Sequence, residues 1–360
     1  MPIPARCVAA LALVLLASPA RALDTSRTIE RTVTQLAPGV WEIRHADPVP
    51  GWVHGNTLVV IGTQGVFVVD ACNIAWDAQT DIAQIREWTD LPVRWVLNTH
   101  WHQDHNGGNH EYLQAFPGAT ILATSETKRR MDATSATVPA QILADAGKSR
   151  SELEQALASG IGRDGQVLGE AGVARTRQSL ADLARVVDGA RHWVYQAPTC
   201  TFDDALTLDL GGREVQVKWL GRGNTGGDAI AWLPQEKILA TGDLVVHPVP
   251  FTFDGYPKEW VATLDRLAAL GAQTIVPGHG EVLHGNTYVL QLRDLFASIV
   301  GQVEAELDLD SESSLEAVKD RVDIRGLRAA ILGDDTVDAG FFDYAMGSFI
   351  EFTYHEAKQR

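Results

Sequence analysis

Three cysteines in 360 residues are too few for a disulfide framework. Basic charge is also short: 30 Lys and Arg stand against 46 Asp and Glu, a formal net charge of -16. A nucleic-acid binder needs a basic face to neutralise phosphates, and so does a protein that adheres to anionic lipid. Both classes are therefore excluded. Long hydrophobic runs are missing as well. The longest candidate, Val8 to Ala17, holds ten residues, about half of what a membrane-spanning helix requires. There is no internal repeat at a solenoid period and no low-complexity tract. What remains is ordinary globular material, 45% hydrophobic and 21% charged, enough for a sizeable core.

The N-terminus reads as a secretory signal. Arg6 supplies a positive flank, Val8 to Ala17 an apolar stretch, and Ala20-Arg21-Ala22 small residues at a cleavage site. Residues 1–22 are thus expected to be removed, placing the mature chain in the periplasm or outside the cell, with no membrane attachment. Cleavage takes away Cys7, leaving Cys72 and Cys200 with one bond at most between them.

Two β-rich blocks flank a helical stretch. In the first, Val33 to Arg44 carries two short strands about Pro38-Gly39. Thr57 to Ile61 and Val66 to Val69 form a hairpin, Ala78 to Trp88 a helix and Val93 to Leu97 a buried strand. From Ser125 to Gln196 β-branched runs vanish. Ser151 and Glu154 make a capping box that predicts a helix start there, and Leu180, Leu183, Val187 and Val194 share one helical face. Strands return at Leu206 to Leu210, Val215 to Leu220, Ala229 to Leu233, Ile238 to Ala240 and Thr274 to Val276. The helix Glu259 to Leu270 precedes the last of these. The C-terminal part is helical, with apolar faces at Leu292, Leu295, Ile299 and Val303, and at Phe341, Ala345, Phe349 and Phe352. Alternating strands and helices predict an α/β sheet covered by helices.

Chemistry concentrates at the strand ends. Thr99 to His105 reads T-H-W-H-Q-D-H directly after a buried strand. His100, His102, Asp104 and His105 are ligand-type side chains suited to zinc, and also to iron or manganese. His100 and His102 can face one metal, Asp104 and His105 a second. Three later loops, each closing a strand, offer further ligands: G-R-G-N-T-G-G-D at 221–228, T-G-D-L at 241–244 and P-G-H-G at 277–280.

With these motifs in order, the chain resembles the metallo-β-lactamase superfamily over about residues 51–285. Asp70 matches that family's early Asp, His100 to His105 its H-x-H-x-D-H, Asp243 its bridging Asp and His279 its final His. The resemblance implies an αβ/βα four-layer sandwich with one or two zinc ions at one edge. With the residue patterns above, the chain is expected to divide into a signal (1–22), the sandwich domain (23–285) with a helical insertion at about 125–196, and a helical extension (286–360). One position departs: where the family carries histidine in the third motif, this chain has Asn224, a weaker ligand. The chain is similar in this respect to secreted quinoprotein-associated and Sox-type members.

The resemblance implies a hydrolase acting on a small molecule. A divalent metal lowers the pKa of the water it holds, which supplies a hydroxide nucleophile near neutral pH. Asp104 would orient that nucleophile, and Asp70 would fix a ligand imidazole from behind. The expected substrates are an ester, lactone, thioester or amide. A class B β-lactamase and a non-hydrolytic metal-binding or redox protein are the alternatives. His54, His247, Trp52 and Trp101 are candidate pocket residues. The oligomeric state is left open.

Overall fold

A computed structural model describes residues 29–47, 52–162, 165–253, 255–333 and 339–359. The expected signal at 1–22 lies outside the described residues. Among the described residues, no helix is long and apolar enough to cross a membrane.

The first sheet has seven strands in chain order: β1 (Arg31–Ala37), β2 (Val40–His45), β3 (Thr57–Ile61), β4 (Val66–Val69), β5 (Val93–Leu97), β6 (Thr120–Thr124) and β7 (Cys200–Phe202). The second holds β8 (Ala205–Asp209), β9 (Glu214–Trp219), β10 (Ala229–Leu233), β11 (Ile238–Ala240), β12 (Thr274–Val276) and β13 (Leu283–His284), in the spatial order β13-β12-β11-β10-β9-β8. Strands β4 to β7 run parallel to one another, and β11 runs parallel to β12. Parallel neighbours end at the same edge, and ligands in α/β sheets collect outside the carboxyl ends of such strands.

Alternation along the strands builds the layers. In β4, Val66 and Val68 point outward, onto Ala78, Ile82 and Ile85 of α1 (Ala75–Trp88) and Tyr112 of α2 (Asn109–Ala115). Phe67 and Val69 point inward and meet Val215, Val217, Ala229 and Ala231 of the second sheet. The far face of that sheet, with Ile230, Trp232 and Leu239, packs on a layer of α6 (Pro257–Ala268), α7 (Thr287–Leu309), α8 (Leu315–Arg321), α9 (Arg325–Leu332) and α10 (Ala339–Lys358). Strands buried on both faces read as continuous apolar runs, which is why VFVV and AIAWL lack polar alternation. The result is helix, sheet, sheet, helix: the expected αβ/βα sandwich.

Between β6 and β7 stand α3 (Ser125–Thr134), α4 (Val138–Ser159) and α5 (Glu170–His192). Two local expectations fail here. Ser151 starts no helix; it lies inside α4, its hydroxyl bonding back to the Gly147 carbonyl at 3.1 Å. That back-bond is the other common use of a helical serine. Val194 lies beyond the end of α5 and is exposed. On α10 the buried face is Phe342, Ala345, Met346 and Phe349, so Phe341 and Phe352 flank it instead of leading it. Cys72 and Cys200 are both free thiols, the first buried and the second exposed.

Thr124 joins the helical stretch to the second sheet. Its Oγ1 caps α3 by accepting from Thr127 N at 3.1 Å and donates to the Gly227 carbonyl at 2.9 Å. Thr124→Val keeps the volume and removes both bonds. It should cost about 1–2 kcal/mol, read as a lower urea midpoint at unchanged m-value.

Candidate metal centre

The ligand-type residues lie where the strand pattern ends. Beyond β4 comes Asp70; beyond β5, the 98–105 loop closing in a 3₁₀ turn, Gln103–His105; beyond β11, Asp243 in the turn Gly242–Leu244; beyond β12, His279. The antiparallel β10 begins at this same edge, where Ala229 N donates to the Thr99 carbonyl at 2.8 Å and ties the two sheets together. The glycines of the motifs are steric necessities. Gly242 has φ +50, and a Cβ there would strike the Thr99 side chain; a Cβ at Gly278 would run into Asp243 Oδ1.

Two groups of ligand atoms form. His100, His102 and Asp243 make one, Asp104, His105 and His279 the other, with the atoms of each inside 4.8 Å of one another. Asp243 reaches both: Oδ2 is 3.5 Å from His100 Nε2, and Oδ1 is 3.3 Å from both His105 Nε2 and His279 Nε2. Asp104 Oδ2 lies 3.4 Å from His105 Nε2 and 3.2 Å from His279 Nε2.

Hydrogen bonds behind the rings fix which nitrogen faces inward. His105 Nδ1 pairs with Asp70 Oδ2 at 2.7 Å, His279 Nδ1 with the His54 carbonyl at 2.9 Å and His100 Nδ1 with Thr99 Oγ1 at 3.0 Å. A ligating histidine is commonly held in this way through its other nitrogen. Asp70 is itself anchored, accepting from Thr99 N and Thr99 Oγ1, both at 2.8 Å. It adopts φ +60, a left-handed conformation costly for a residue with a side chain.

The charges suit a cation. Burial opposes ionisation of Asp104 and Asp243, yet the His105 and His279 imidazoles hold both carboxyls well below the usual range. Burial likewise opposes charge on His279, and the Asp243 and Asp104 carboxylates outweigh it, raising that ring to about 10. His100, by contrast, is kept neutral by burial and by neighbouring His105. Imidazole nitrogens face each other in two pairs, His105 Nε2 to His279 Nε2 at 3.1 Å and His100 Nε2 to His102 Nδ1 at 2.9 Å. Tetrahedral zinc bonds of ~2.0–2.1 Å place neighbouring ligand atoms about 3.3 Å apart. The donor set and its spacing therefore fit divalent metal, and Asp243 Oδ1, buried without a hydrogen-bond partner, is aimed into the group.

Asn224 is buried on the 221–228 loop, and its Nδ2 has no hydrogen-bond partner. The loop is braced by Asp228, which accepts from Thr225 N at 2.8 Å and Thr225 Oγ1 at 2.7 Å. Burial, with Asp243 nearby, pushes the Asp228 carboxyl up to about 7 against those two bonds.

The candidate pocket residues divide. Trp101 lies edge-on to His102 at 4.4 Å, with the Arg130 guanidinium 4.9 Å from its ring centre. With Met131, Val138, Trp193 and Tyr195 it lines a hollow of about 10 Å³, room for a single water, under the helical stretch. His247 packs on Tyr288, its N–H bonded to the His279 carbonyl. Two expectations need correcting. Trp52 turns away from the metal ligands into the α4–α5 packing, bonding Ser149 Oγ at 3.2 Å. His54 is wholly buried, and only its carbonyl serves the site. Its ring, kept neutral by burial with a pKa down to about 3, faces Asp77 instead.

Sequence reading missed several residues. Thr99 opens the motif, and nothing in the ligand pattern marks its bonds to Asp70 and to the His100 ring. Phe251 lies edge-on to His279 at 5.1 Å and continues through Phe253, Phe341 and the exposed Tyr344 as an aromatic wall. The alternation of Phe251 and Phe253 was its one local signal. A second buried polar cluster, His45, Cys72, Asp77 and Asp81, had only its acids on an otherwise apolar helix face to betray it.

Asp70→Asn tests the support behind His105. The neutral amide keeps the volume and weakens the hold on the imidazole. Metal affinity should fall by roughly tenfold, read by competition with a chromophoric chelator.

Comparison with known proteins agrees with this geometry. The family model of the metallo-beta-lactamase superfamily matches residues 50–279. The chain belongs to that superfamily. Among curated relatives it is 26% identical, over 66% of its own length, to a linear primary-alkylsulfatase of Pseudomonas sp. (strain ATCC 19151). It is 32% identical, over 29% of its length, to a type 2 metallo-beta-lactamase of Bacteroides fragilis. The chain spans less than half of either relative, 44% in each case. A solved metallo-beta-lactamase from Pontibacter korlensis superposes with a TM-score of 0.52 at 21% identity, covering 74% of this chain and 99% of that one. At that identity the likeness speaks for the fold alone.

Proposed function

We propose that the protein is a secreted metal-dependent hydrolase of a small ester-type substrate: an ester, lactone, thioester, amide or sulfate ester. The observation that carries the reading is Asp243, whose two oxygens face two separate sets of ligand nitrogens. His100, His102 and Asp243 would hold one metal, and Asp104, His105, His279 and Asp243 a second, with zinc the expected ion. When bound, such ions activate a water and polarise the bond to be cut. The chain's own residues do the rest. Asp104 orients the nucleophile and accepts its hydrogen bond. Asp70 and the His54 carbonyl keep the His105 and His279 rings in one tautomer. Trp101 on one side and Phe251 with Phe253 on the other offer apolar surface to the acyl or alkyl part of a substrate. Sulfate esters enter the substrate class through the Pseudomonas relative.

The second reading, a β-lactamase, draws support from the Bacteroides relative. One panel separates the readings: nitrocefin, a lactone, a thioester, a phenyl ester and a medium-chain alkyl sulfate, each with and without chelator. Chelator-sensitive turnover of an ester-type member and none of nitrocefin is the expected outcome. Turnover of nitrocefin alone selects the β-lactamase. Failure of the metal-loaded protein on every member rejects hydrolysis.

Export belongs to the same proposal. N-terminal sequencing of the exported protein should start at or near Leu23, and an exported chain that retains Met1 would refute cleavage.

A further inference from the structure

A second set of ligand atoms lies beneath the His279 side of the site. His45 ends β2, Asp77 and Asp81 occupy successive turns of α1, and His54 precedes β3. All four side chains are buried. Asp81 is fully engaged: Oδ1 holds Arg31 at 2.6 Å, while Oδ2 takes His45 Nε2 at 3.1 Å and the Cys72 thiol at 3.0 Å. Asp77 Oδ1 accepts from Ile29 N at 3.1 Å. Among the described residues, four buried atoms here are then left without a hydrogen-bond partner: His45 Nδ1, His54 Nδ1, His54 Nε2 and Asp77 Oδ2.

His45, His54 and Asp77 converge, Asp77 through both its orphan Oδ2 and the Oδ1 that Ile29 N also meets. His54 Nδ1 is 3.4 Å from Asp77 Oδ2, His45 Nδ1 is 3.9 Å from Asp77 Oδ1, and one ligand atom from each residue falls within 4.8 Å of the others. Burying polar atoms unpaired is costly, and proteins rarely leave several of them side by side. Ligand atoms around a tetrahedral zinc sit about 3.3 Å apart, which the His54–Asp77 separation of 3.4 Å matches and the His45–Asp77 separation of 3.9 Å approaches. His45 also has the support of a metal ligand, its far nitrogen fixed by a carboxylate that is itself fixed by Arg31.

We propose that His45, His54 and Asp77 form a separate structural site for one divalent cation of the zinc class, distinct from the two groups that share Asp243. The neighbouring set of His45, Cys72 and Asp81 also has metal-ligand spacing. Its atoms already satisfy one another through Asp81, so it needs no ion. Among the described residues, the His45, His54 and Asp77 side chains have no surface exposed to a substrate. The site's effect is to pin β2, α1 and the residue whose carbonyl holds His279.

The test uses zinc as the probe on the full chain. A variant with His100→Ala, His105→Ala and His279→Ala removes ligands from both groups of the main site. After zinc loading and exhaustive dialysis it should keep about one zinc per chain. Adding Asp77→Asn should remove that zinc, while adding Cys72→Ser should leave it. Absence of retained zinc in a folded triple variant overturns the proposal, as does retention through Asp77→Asn. Should the triple variant fail to fold, crystals of the unaltered protein decide at the zinc absorption edge. An anomalous peak among His45, His54 and Asp77 is expected. Peaks at the main site with none here would show a buried ion-pair cluster only. No arm reads hydrolysis, so the outcome is independent of the proposed activity.

Discussion

Asp243→Ala should strip metal from both halves of the site and reduce hydrolysis on the order of 10³-fold or more. The expectation rests on shared geometry. One carboxylate approaches His100 on one side, and His105 and His279 on the other, at 3.3–3.5 Å. It is nearly inaccessible to solvent, and imidazoles hold it ionised against the cost of burial. Removing it leaves both ligand sets short of an oxygen and of the negative charge that a divalent ion requires. His105→Ala is the informative comparison, because it damages chiefly the Asp104 set and leaves His100, His102 and Asp243 together. Its metal loss should be partial and its fold intact. Elemental analysis, kcat/KM and far-UV circular dichroism on both variants check the pair. Full metal content and activity in either variant would sink the metallo-hydrolase reading.

Where the chain's chemistry is local, the sequence declares it. Histidines two and five residues apart after a buried strand imply convergence, because a strand end aims successive residues into one loop. The apolar runs at 57–61, 66–69, 93–97, 229–233, 238–240 and 274–276 announce their strands with the bounds observed. What the residues do at long range was hidden. The carbonyl of His54 meets His279 across 225 positions, and no side-chain pattern encodes a backbone acceptor. Asp77 and Asp81 interrupt the apolar spacing of α1, which reads locally as solvent exposure but here marks a buried polar cluster. Ser151 shows the limit in the other direction. A serine followed by glutamate three residues on can open a helix or ride inside one, and the flanking residues of α4 continue the helix on both sides. The five residues of β6 carry no end signal for a related reason: they run directly into Ser125 and a helix, with no turn residue between.

Unequal metal affinity is the outcome expected of Asn224. The Asp104 set has three ligands of its own, Asp104, His105 and His279, and borrows Asp243 as a fourth. The other set has His100 and His102 and depends on the same Asp243 for its third. The family's usual third imidazole is replaced by a carboxamide, buried on a loop that Thr225, Asp228 and the Ala229–Thr99 bond hold beside the motif. A neutral amide oxygen donates less to zinc than imidazole does. One metal should therefore survive exhaustive dialysis and one should leave. Asn224→His restores an imidazole from the same loop. It should tighten the weaker set by about 10–100-fold, the scale of changes in a metal's supporting shell, and bring retained zinc toward about two per chain. The asymmetry is read by elemental analysis of both proteins, with the Asp77→Asn substitution present in each so that zinc in the deeper cluster does not enter the count. Two firmly held ions with Asn224 in place would show that the carboxamide, or another group, already completes the set. Unchanged retention in a folded Asn224→His protein would show that this loop does not present its residue to the metal.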